Sequence, residues 1–400
     1  MTIIHSNLSR RQALGALGGG AVALTGVAAS AQSTAVEPLS TITTPRRDFG
    51  PGAAPNVYFW DPDLVAADDR FWGVMQPNAT IERLWTGARW AEGPAWNSVG
   101  KYLIWSDIPE NRQMRWLDDD NHVSEFRYPS NYSNGNSFDR QGRQLSAEHL
   151  TRRVVRYEHD GSITILADMF EGKRFNSPND VVEHADGSIW FTDPPYGGQL
   201  YEGAPDAPGG PSNAAGLLNP RLGQPPEIGD YVREMETATY RIGTDGAITR
   251  VATEADAADP NGLCFAPDFG TLYIASTGKG PGDTGPGGNG EIIAMDVAPD
   301  GTTSNRRVFS DCMVDGVKCG PDGLRTDVAG NLWASSNAGR NVGYSGVTVW
   351  APDGTLLGRI RLPEICGNVC FGGPKRNRLF MAASQSIYSV YTGTQGAGPA

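Results

Sequence analysis

The sequence predicts an all-β fold: a six-bladed β-propeller with four strands in each blade. The prediction rests on an internal repeat of turns and short strands, and on a composition rich in turn residues, with 51 Gly and 28 Pro in 400 residues. Charged residues make up only 20% of the chain, which excludes a coiled coil and a helical bundle. Many short strands separated by frequent turn signals are typical of all-β repeat architectures.

One kind of turn recurs six times, and each copy is followed by a short strand such as KYLIWSD or SIWFTD. These inner turns are centred on Gly100, Gly142, Gly187, Gly270, Gly330 and Asn377. A second kind lies between them, at Asp119-Asp120, Asp160-Gly161, Asp245-Gly246, Asp300-Gly301 and Asp353-Gly354. The two kinds alternate strictly, which is the pattern of blades built from an inner and an outer hairpin.

The sixth blade lacks an outer hairpin of its own, because only Ser386–Tyr391 follows its inner hairpin. We expect Thr80–Trp85 to supply the missing outermost strand, so that an N-terminal strand closes the ring. The propeller is therefore predicted over residues 80–392, with a tail over 393–400. A long interval between the third and fourth inner turns predicts an insertion over residues 198–236, and a Gly-rich loop follows over 278–290.

The N-terminus has the pattern of an export signal. Ser9-Arg10-Arg11-Gln12-Ala13-Leu14 is a twin-arginine motif, a mildly apolar run follows, and Ala29-Ser30-Ala31 resembles a cleavage site. We expect residues 1–31 to be a twin-arginine signal peptide and residues 32–79 a linker and N-terminal extension with a short helix. The protein would then be periplasmic or secreted in a bacterium, without stable membrane association after cleavage. The alternative is a membrane anchor, but the run is short for one.

The charge of the chain argues against a nucleic-acid partner. The formal net charge is −12, and loss of Arg10 and Arg11 with the signal peptide takes it to −14. An acidic chain without clusters of Lys and Arg is a poor match for a phosphate backbone. We interpret the charge as a source of solubility, and the oligomeric state stays open.

Two pairs among the five cysteines are close enough in sequence to form disulfides in an oxidising compartment. These are Cys312 with Cys319 and Cys366 with Cys370. Cys264 lies in an apolar strand and is expected to be a buried free thiol. No C-x-x-C pair is present, which argues against a thiolate zinc site.

Counting back eight or nine residues from each inner turn reaches a side chain that carries oxygen. The six residues are Glu92, Asn134, Asn179, Asn261, Asp322 and Asn368. Equivalent positions on the innermost strands form a ring around the channel of a propeller. Two carboxylates and four amides suit a hard divalent cation: Ca²⁺ in the first place, with Mg²⁺, Mn²⁺ or Zn²⁺ as alternatives. Asn and Asp also cap turns, but such caps do not explain six residues in phase.

The second strand of each inner hairpin returns to the same end of the channel. Glu148 and Asp193 are the charged residues there, and His149 follows Glu148. We expect Glu148, Asp193 and Asn136 to contact a substrate and His149 to bind substrate or transfer protons. For Glu148 and Asp193 the alternative is an ion pair or a cap between blades, and for His149 it is a structural role.

The same motifs resemble the gluconolactonase, senescence-marker-protein and luciferin-regenerating-enzyme family. The resemblance is carried by WAEGPAW, SNGNSFDRQGR, EHLTRRVVRYEHDGSI, KRFNSPNDVVEHADGSIWFTDPPYG, DPNGLCFAPD and GPDGLRTD, and runs from about residue 56 to 391. It implies a six-bladed propeller that holds one divalent metal and hydrolyses sugar lactones. By motif match, the metal ligands would be Glu92, Asn179, Asn261 and Asp322, which leaves Asn134 and Asn368 for substrate. Leu150 and the long insertion depart from the family pattern and put the substrate in question.

The resemblance leads to a hypothesis of mechanism. A bound cation would polarise the carbonyl of a small-molecule sugar lactone, and water would attack it with help from a general base. Asp322 is the first choice for this base and His149 the second. Two alternatives remain open: a paraoxonase-like metal-dependent esterase or phosphotriesterase, and a non-catalytic periplasmic binding propeller with a structural metal. A serine nucleophile is not indicated, because no G-x-S-x-G motif occurs.

Overall fold

A computed structural model of the chain describes residues 48–50, 53, 60–199, 234–277 and 289–398. The predicted signal peptide, most of the linker and most of the two long loops, at 198–236 and 278–290, therefore lie outside the described residues. Ahead of the first blade the chain forms strand β1 (Leu64–Ala66), the short helix α1 (Phe71–Val74) and strand β2 (Glu82–Thr86). No helix among the described residues is long and apolar enough to cross a membrane.

The first half of the ring consists of three sheets, each with its strands in sequence order from the channel outward. Blade one contains β3 (Ala91–Asn97), β4 (Tyr102–Asp107), β5 (Arg112–Leu117) and β6 (Val123–Arg127). Blade two contains β7 (Ser133–Phe138), β8 (Gln144–Glu148), β9 (Arg153–Tyr157) and β10 (Ile163–Ala167), and is followed by the hairpin β11 (Met169–Phe170) and β12 (Lys173–Arg174). Blade three contains β13 (Val181–Glu183), β14 (Ile189–Asp193), β15 (Ala238–Ile242) and β16 (Ile248–Ala252).

The second half has the same plan. Blade four contains β17 (Pro260–Phe265), β18 (Thr271–Ser276), β19 (Glu291–Val297) and β20 (Thr303–Ser310), and is followed by the hairpin β21 (Met313–Val314) and β22 (Val317–Lys318). Blade five contains β23 (Gly320–Thr326), β24 (Leu332–Asn337), β25 (Gly346–Trp350) and β26 (Leu356–Arg361). Blade six contains β27 (Cys366–Gly372), β28 (Arg378–Ala383) and β29 (Ser386–Tyr391). Two short 3₁₀ helices, Ile108–Glu110 and Tyr196–Gln199, follow β4 and β14.

The ring closes as predicted, because the N-terminal strand β2 is the outermost strand of blade six. It pairs antiparallel with β29, with Glu82 opposite Ser389. The six-bladed propeller is thus confirmed. Blade five differs from the expectation of four strands: β1 pairs with the outer edge of β26, with Leu64 opposite Ile360, and makes a fifth strand. This strand of three residues lies ahead of the repeat, so the turn pattern did not predict it.

The core is divided into apolar clusters between neighbouring blades. Trp96 and Trp105 of blade one pack with Phe380 of blade six, and the rings of Trp96 and Phe380 stack at a centroid distance of 5.6 Å. The interface between blades one and two has a small apolar cluster around Ile104 and Phe138, and the buried amides Gln113 and Asn136 bond each other beside it. These packed interfaces hold the innermost strands, and hence the channel, in place.

All five cysteines are buried free thiols, so the two disulfides considered from sequence do not form in this structure. Cys366 and Cys370 lie four residues apart on the extended strand β27, which places their Cα atoms roughly 10 Å or more apart, too far for a disulfide. A β-bulge between Cys366 and Asn368 also changes the faces to which their side chains point. The extra residue reverses the alternation of side chains on β27. Cys366 consequently packs between blades five and six, whereas Cys370 packs between blades six and one. Cys312 and Cys319 are joined by a backbone hydrogen bond but also belong to different apolar clusters.

Candidate active site

Irregular pairing marks the six predicted ring positions, which lie one on each blade where the innermost strand begins. In five blades a β-bulge interrupts the pairing of the innermost strand beside the ring residue: Glu92, Asn134, Asn261, Asp322 or Asn368. A bulge re-aims a side chain and increases the local twist of the strand. In blade three, Asn179 precedes β13, and its N–H donates to the carbonyl of Thr192 at 2.8 Å. Local strand geometry therefore singles out the same positions as the repeat.

Glycines next to the ring residues allow neighbouring innermost strands to approach closely. A Cβ on Gly93 would lie 2.1 Å from the carbonyl oxygen of Asn134, and one on Gly262 would lie 2.2 Å from that of Asp322. Since real Cβ atoms do not approach backbone oxygens so closely, only glycine fits at these positions. The Gly of the motifs EGP and PNGL is thus explained by the packing of one blade against the next.

Hydroxyl groups of two second strands add hydrogen bonds between neighbouring blades. Ser106 of blade one donates to the carbonyl of Asn134 in blade two at 2.8 Å. Thr192 of blade three donates to the carbonyl of Asn261 in blade four at 2.6 Å. Each hydroxyl bonds the backbone of a ring residue in the following blade, so the backbone at Asn134 and Asn261 is fixed across two blade boundaries.

The two carboxylates of the ring are held in surroundings that oppose their charge. Glu92 is 3% exposed, and burial raises its pKa to about 7, although hydrogen bonds from the Gly93 N–H and from the side chains of Asn368 and Trp90 lower it. Burial also raises the pKa of Asp322 well above its ordinary value, with a further contribution from the negative charge of Glu92. Two carboxylates whose charges are disfavoured by desolvation and by mutual repulsion favour a bound cation.

The side chain of Asn134 is a second feature of the ring that indicates a ligand-binding site. Its side chain is 7% exposed, and its Oδ1 atom has no hydrogen-bond partner among the described residues. A buried acceptor without a donor is costly unless a ligand, ion or water satisfies it. No group of three or more His, Cys, Asp or Glu side chains gathers at metal-binding distance in the described ranges. The donors of the ring are instead mainly amides, and such a mixed oxygen set fits a hard divalent cation.

His149 lies in the loop between β8 and β9 and is almost completely buried. The side chain is 3% exposed, and burial lowers its pKa to about 3, so the imidazole is neutral. Neither ring nitrogen has a hydrogen-bond partner among the described residues. The ring packs against Gly197 and lies near Ser177, two residues before Asn179: a Cβ on Gly197 would lie 2.5 Å from atoms of both. A neutral, unpartnered imidazole in this place can accept or donate a proton.

Glu148 and Asp193, which were predicted to contact substrate, have protein partners. Glu148 is fully buried and forms an ion pair with Arg153 at 2.7 Å and a hydrogen bond with the Tyr157 hydroxyl at 3.2 Å. The carboxylate of Asp193 accepts the backbone N–H groups of Asn176 and Ser177, each at 2.8 Å. Asp193 thereby fixes the segment that leads to Asn179. Their contact with substrate stays a prediction.

Asn136 is also satisfied within the protein. Its amide donates to the carbonyl of Gly93 and the hydroxyl of Ser106, each at 3.0 Å, and its Oδ1 accepts from Ser146 at 2.8 Å. It also accepts from Gln113 at 3.0 Å. This network fills the interface between blades one and two. The structure therefore shows a bridge between blades at Asn136, and the predicted substrate contact stays untested.

Sequence reasoning missed a buried ion pair beside the ring. Asp180 follows Asn179, is fully buried, and pairs with Arg325 of blade five at a distance of 3.1 Å between Oδ2 and Nη1. The negative charge of Asp180 contributes to the raised pKa values of Glu92 and Asp322. The only hint in the sequence was the arginine itself, a basic residue on the innermost strand GPDGLRT, and it does not indicate which carboxylate it meets.

These features define a class of protein: a six-bladed propeller with a carboxylate or an amide residue where the innermost strand of each blade begins. A family profile described as "SMP-30/Gluconolactonase/LRE-like region" matches residues 90–385. The chain belongs to this family, as the motifs in its sequence indicated.

Several known proteins are similar to this chain over most of its length. It is 29% identical over 342 residues to a gluconolactonase of Zymomonas mobilis, covering 81% of this chain and 84% of that protein. It is 26% identical over 305 residues to the pentonolactonase XacC of Haloferax volcanii, covering 75% and 83% of the two chains. The solved structure of a gluconolactonase from Xanthomonas campestris superimposes with a TM-score of 0.65 at 31% identity, covering 82% of this chain and 94% of that one.

Proposed function

We propose that this protein is a lactonase that opens sugar lactones at the ring of six polar side chains, with the help of a divalent cation. The observation that carries the proposal is that Glu92, which accepts a hydrogen bond from Asn368, lies close enough to Asp322 for their charges to repel, in a chain of this family. The names of the similar proteins, gluconolactonase and pentonolactonase, support a sugar lactone as the class of substrate.

The residues that would hold the cation are Glu92, Asn179, Asn261 and Asp322. When bound, a divalent cation polarises an ester carbonyl and stabilises the negative charge that develops on its oxygen. Calcium is the first candidate, because the donors are hard oxygens from carboxylates and amides. Asn134, whose Oδ1 is free of protein donors in the described part, and Asn368 would orient the hydroxyl groups of the sugar.

Asp322 is the proposed general base. Its side chain is more exposed than that of Glu92, which is 3% exposed, so water can reach the Asp322 carboxylate more easily. Asp322 would accept a proton from the attacking water as the new C–O bond forms. It would return the proton to the ring oxygen when the lactone C–O bond breaks, which yields the hydroxy acid. His149, a neutral imidazole, is the second candidate for this transfer.

A lactonase assay with and without cation tests the proposal. The purified protein is treated with a chelator and assayed on a panel of sugar lactones, an aryl ester and a phosphotriester, before and after addition of Ca²⁺, Mg²⁺, Mn²⁺ or Zn²⁺. We expect turnover of a sugar lactone to disappear with the chelator and to return with a cation. Full activity after complete cation removal would contradict the role of the cation. Faster turnover of the aryl ester or phosphotriester would favour the paraoxonase-like alternative, and cation binding without any turnover would favour a binding propeller.

We also propose export by the twin-arginine route, which the motif at Arg10 and Arg11 supports. The expected result is recovery of the protein from the periplasm or medium, with its N-terminus near Gln32. Replacement of both arginines by lysine should retain the precursor in the cytoplasm. Unchanged export of the lysine variant would contradict this route.

A further inference from the structure

The ion pair between Asp180 and Arg325 lies at the centre of the propeller. Arg325 stands on β23 of blade five, and its guanidinium reaches Asp180 of blade three, with Nη1 3.1 Å from Oδ2. The Arg325 side chain is 12% exposed and that of Asp180 is fully buried. The same Nη1 donates to the carbonyl of Leu324 at 2.6 Å, which holds the guanidinium in place.

The innermost strands of several blades surround Asp180. Its Oδ2 accepts the N–H of Leu263 in blade four at 3.4 Å, and its Oδ1 accepts the N–H of Val181 at 3.0 Å. A Cβ on Gly135 of blade two would lie 2.7 Å from Oδ1. Asp180 is therefore a carboxylate of the channel itself, directly beside the ring residue Asn179, and not part of the outer surface.

The net charge of the ionisable groups around the channel is opposite and equal to that of a divalent cation. Glu92, Asp180 and Asp322 are three carboxylates whose charges act on one another. Arg325 provides one positive charge, because a guanidinium stays protonated in proteins. When all three carboxylates are ionised, the group carries two negative charges, which matches a divalent cation. Without Arg325 it would carry three.

We propose that Arg325 is an internal counter-ion that sets the preference of the channel for divalent over trivalent cations. It acts as a positioning residue, since its guanidinium contacts Asp180 and the Leu324 carbonyl and works through Asp180. The inference rests on the proposed function, because it assumes a cation at the ring. Removal of the guanidinium would leave a third uncompensated carboxylate beside the cation, and a trivalent ion would gain more from this carboxylate than Ca²⁺ would.

The ratio of the affinities for Tb³⁺ and Ca²⁺ tests this inference. Both are measured on the purified full chain: Tb³⁺ by its luminescence when nearby Trp is excited, and Ca²⁺ by competition and by calorimetry. We expect Arg325→Met to raise the preference for Tb³⁺ about tenfold or more, and Arg325→Lys, which keeps the charge, to stay close to wild type. In Asp180→Asn/Arg325→Met, which again leaves two negative charges, the preference should return to the wild-type value.

Asp180→Asn provides an independent arm if Arg325→Met does not fold. It leaves one net negative charge, so the preference for Tb³⁺ should fall below that of wild type. An unchanged ratio in Arg325→Met, or in Asp180→Asn where Arg325→Met is unstable, would overturn the counter-ion inference while leaving the proposed function intact. Failure of the wild-type protein to bind either ion would overturn both.

Discussion

Asn134 and Asn136 are two residues apart on β7, yet a β-bulge gives their side chains opposite environments. Asn136 is fully buried and bonded through both ends of its amide, to Gly93 and Ser106 on one side and Ser146 on the other. Asn134 carries an Oδ1 without a partner in the described part of the chain. One asparagine thus joins two blades, and the other is available to a ligand.

Alanine substitution should separate these two roles. Asn134→Ala removes an acceptor that stabilises little in the free protein, so we expect a nearly unchanged unfolding free energy and a loss of substrate or cation affinity of about tenfold. Asn136→Ala leaves several buried donors unpaired and should destabilise the fold by roughly 3 kcal/mol or more. Urea unfolding and lactonase kinetics on both variants provide the check. A stability loss in Asn134→Ala equal to that in Asn136→Ala would contradict the assignment.

Removal of a ring carboxylate should abolish cation binding and stabilise the cation-free protein. Glu92→Gln and Asp322→Asn keep the shape of the side chain but delete one of two charges that burial and mutual repulsion disfavour. We expect a higher midpoint of thermal unfolding in the presence of chelator, together with no Ca²⁺ binding by calorimetry. Glu110→Gln, at a carboxylate that pairs with Arg89 on the surface, serves as the control for charge alone. Wild-type Ca²⁺ affinity in Glu92→Gln would exclude this residue as a ligand.

The repeat predicted the architecture and the ring positions because turn residues and phase are local properties of the sequence. It could not predict β1, which is a short edge strand without a turn signal. It also could not separate Asn134 from Asn136, since the bulge that divides them depends on how β7 pairs with β8. The pair of Asp180 and Arg325 joins residues 145 positions apart, a contact that no local pattern encodes.

The stability of the protein should depend on pH through His149. Burial lowers the pKa of His149 in the folded state to about 3, below the ordinary value of 6.5. The neutral ring is therefore favourable to folding above about pH 6.5, and this contribution is lost progressively as the pH falls from there toward 3. Between about pH 6.5 and pH 5 the loss should approach roughly 2 kcal/mol.

His149→Gln removes this titration, so its unfolding free energy should fall less than that of wild type over the same range. His159→Gln is the matched control, because His159 is exposed and contacts only the carbonyl of Gln141 among the described residues. Urea unfolding of the three proteins at each pH gives the comparison. Equal losses of unfolding free energy in all three proteins would show that His149 becomes protonated in the folded state, so that its pKa is not lowered there.

Gly367 should be essential for the position of Glu92. A Cβ at Gly367 would lie 1.9 Å from Oε1 of Glu92, so an alanine there must displace the carboxylate from the ring. We expect Gly367→Ala to weaken Ca²⁺ binding and lactone turnover at least tenfold, because a ligand moved by even 1 Å no longer fits the coordination geometry. Gly73→Ala is the matched control, since a Cβ at that position meets no atom within 4 Å. Calorimetry, kinetics and thermal unfolding of both variants distinguish local displacement from loss of the fold, and unimpaired Ca²⁺ binding in a folded Gly367→Ala variant would remove Glu92 from the proposed ligand set.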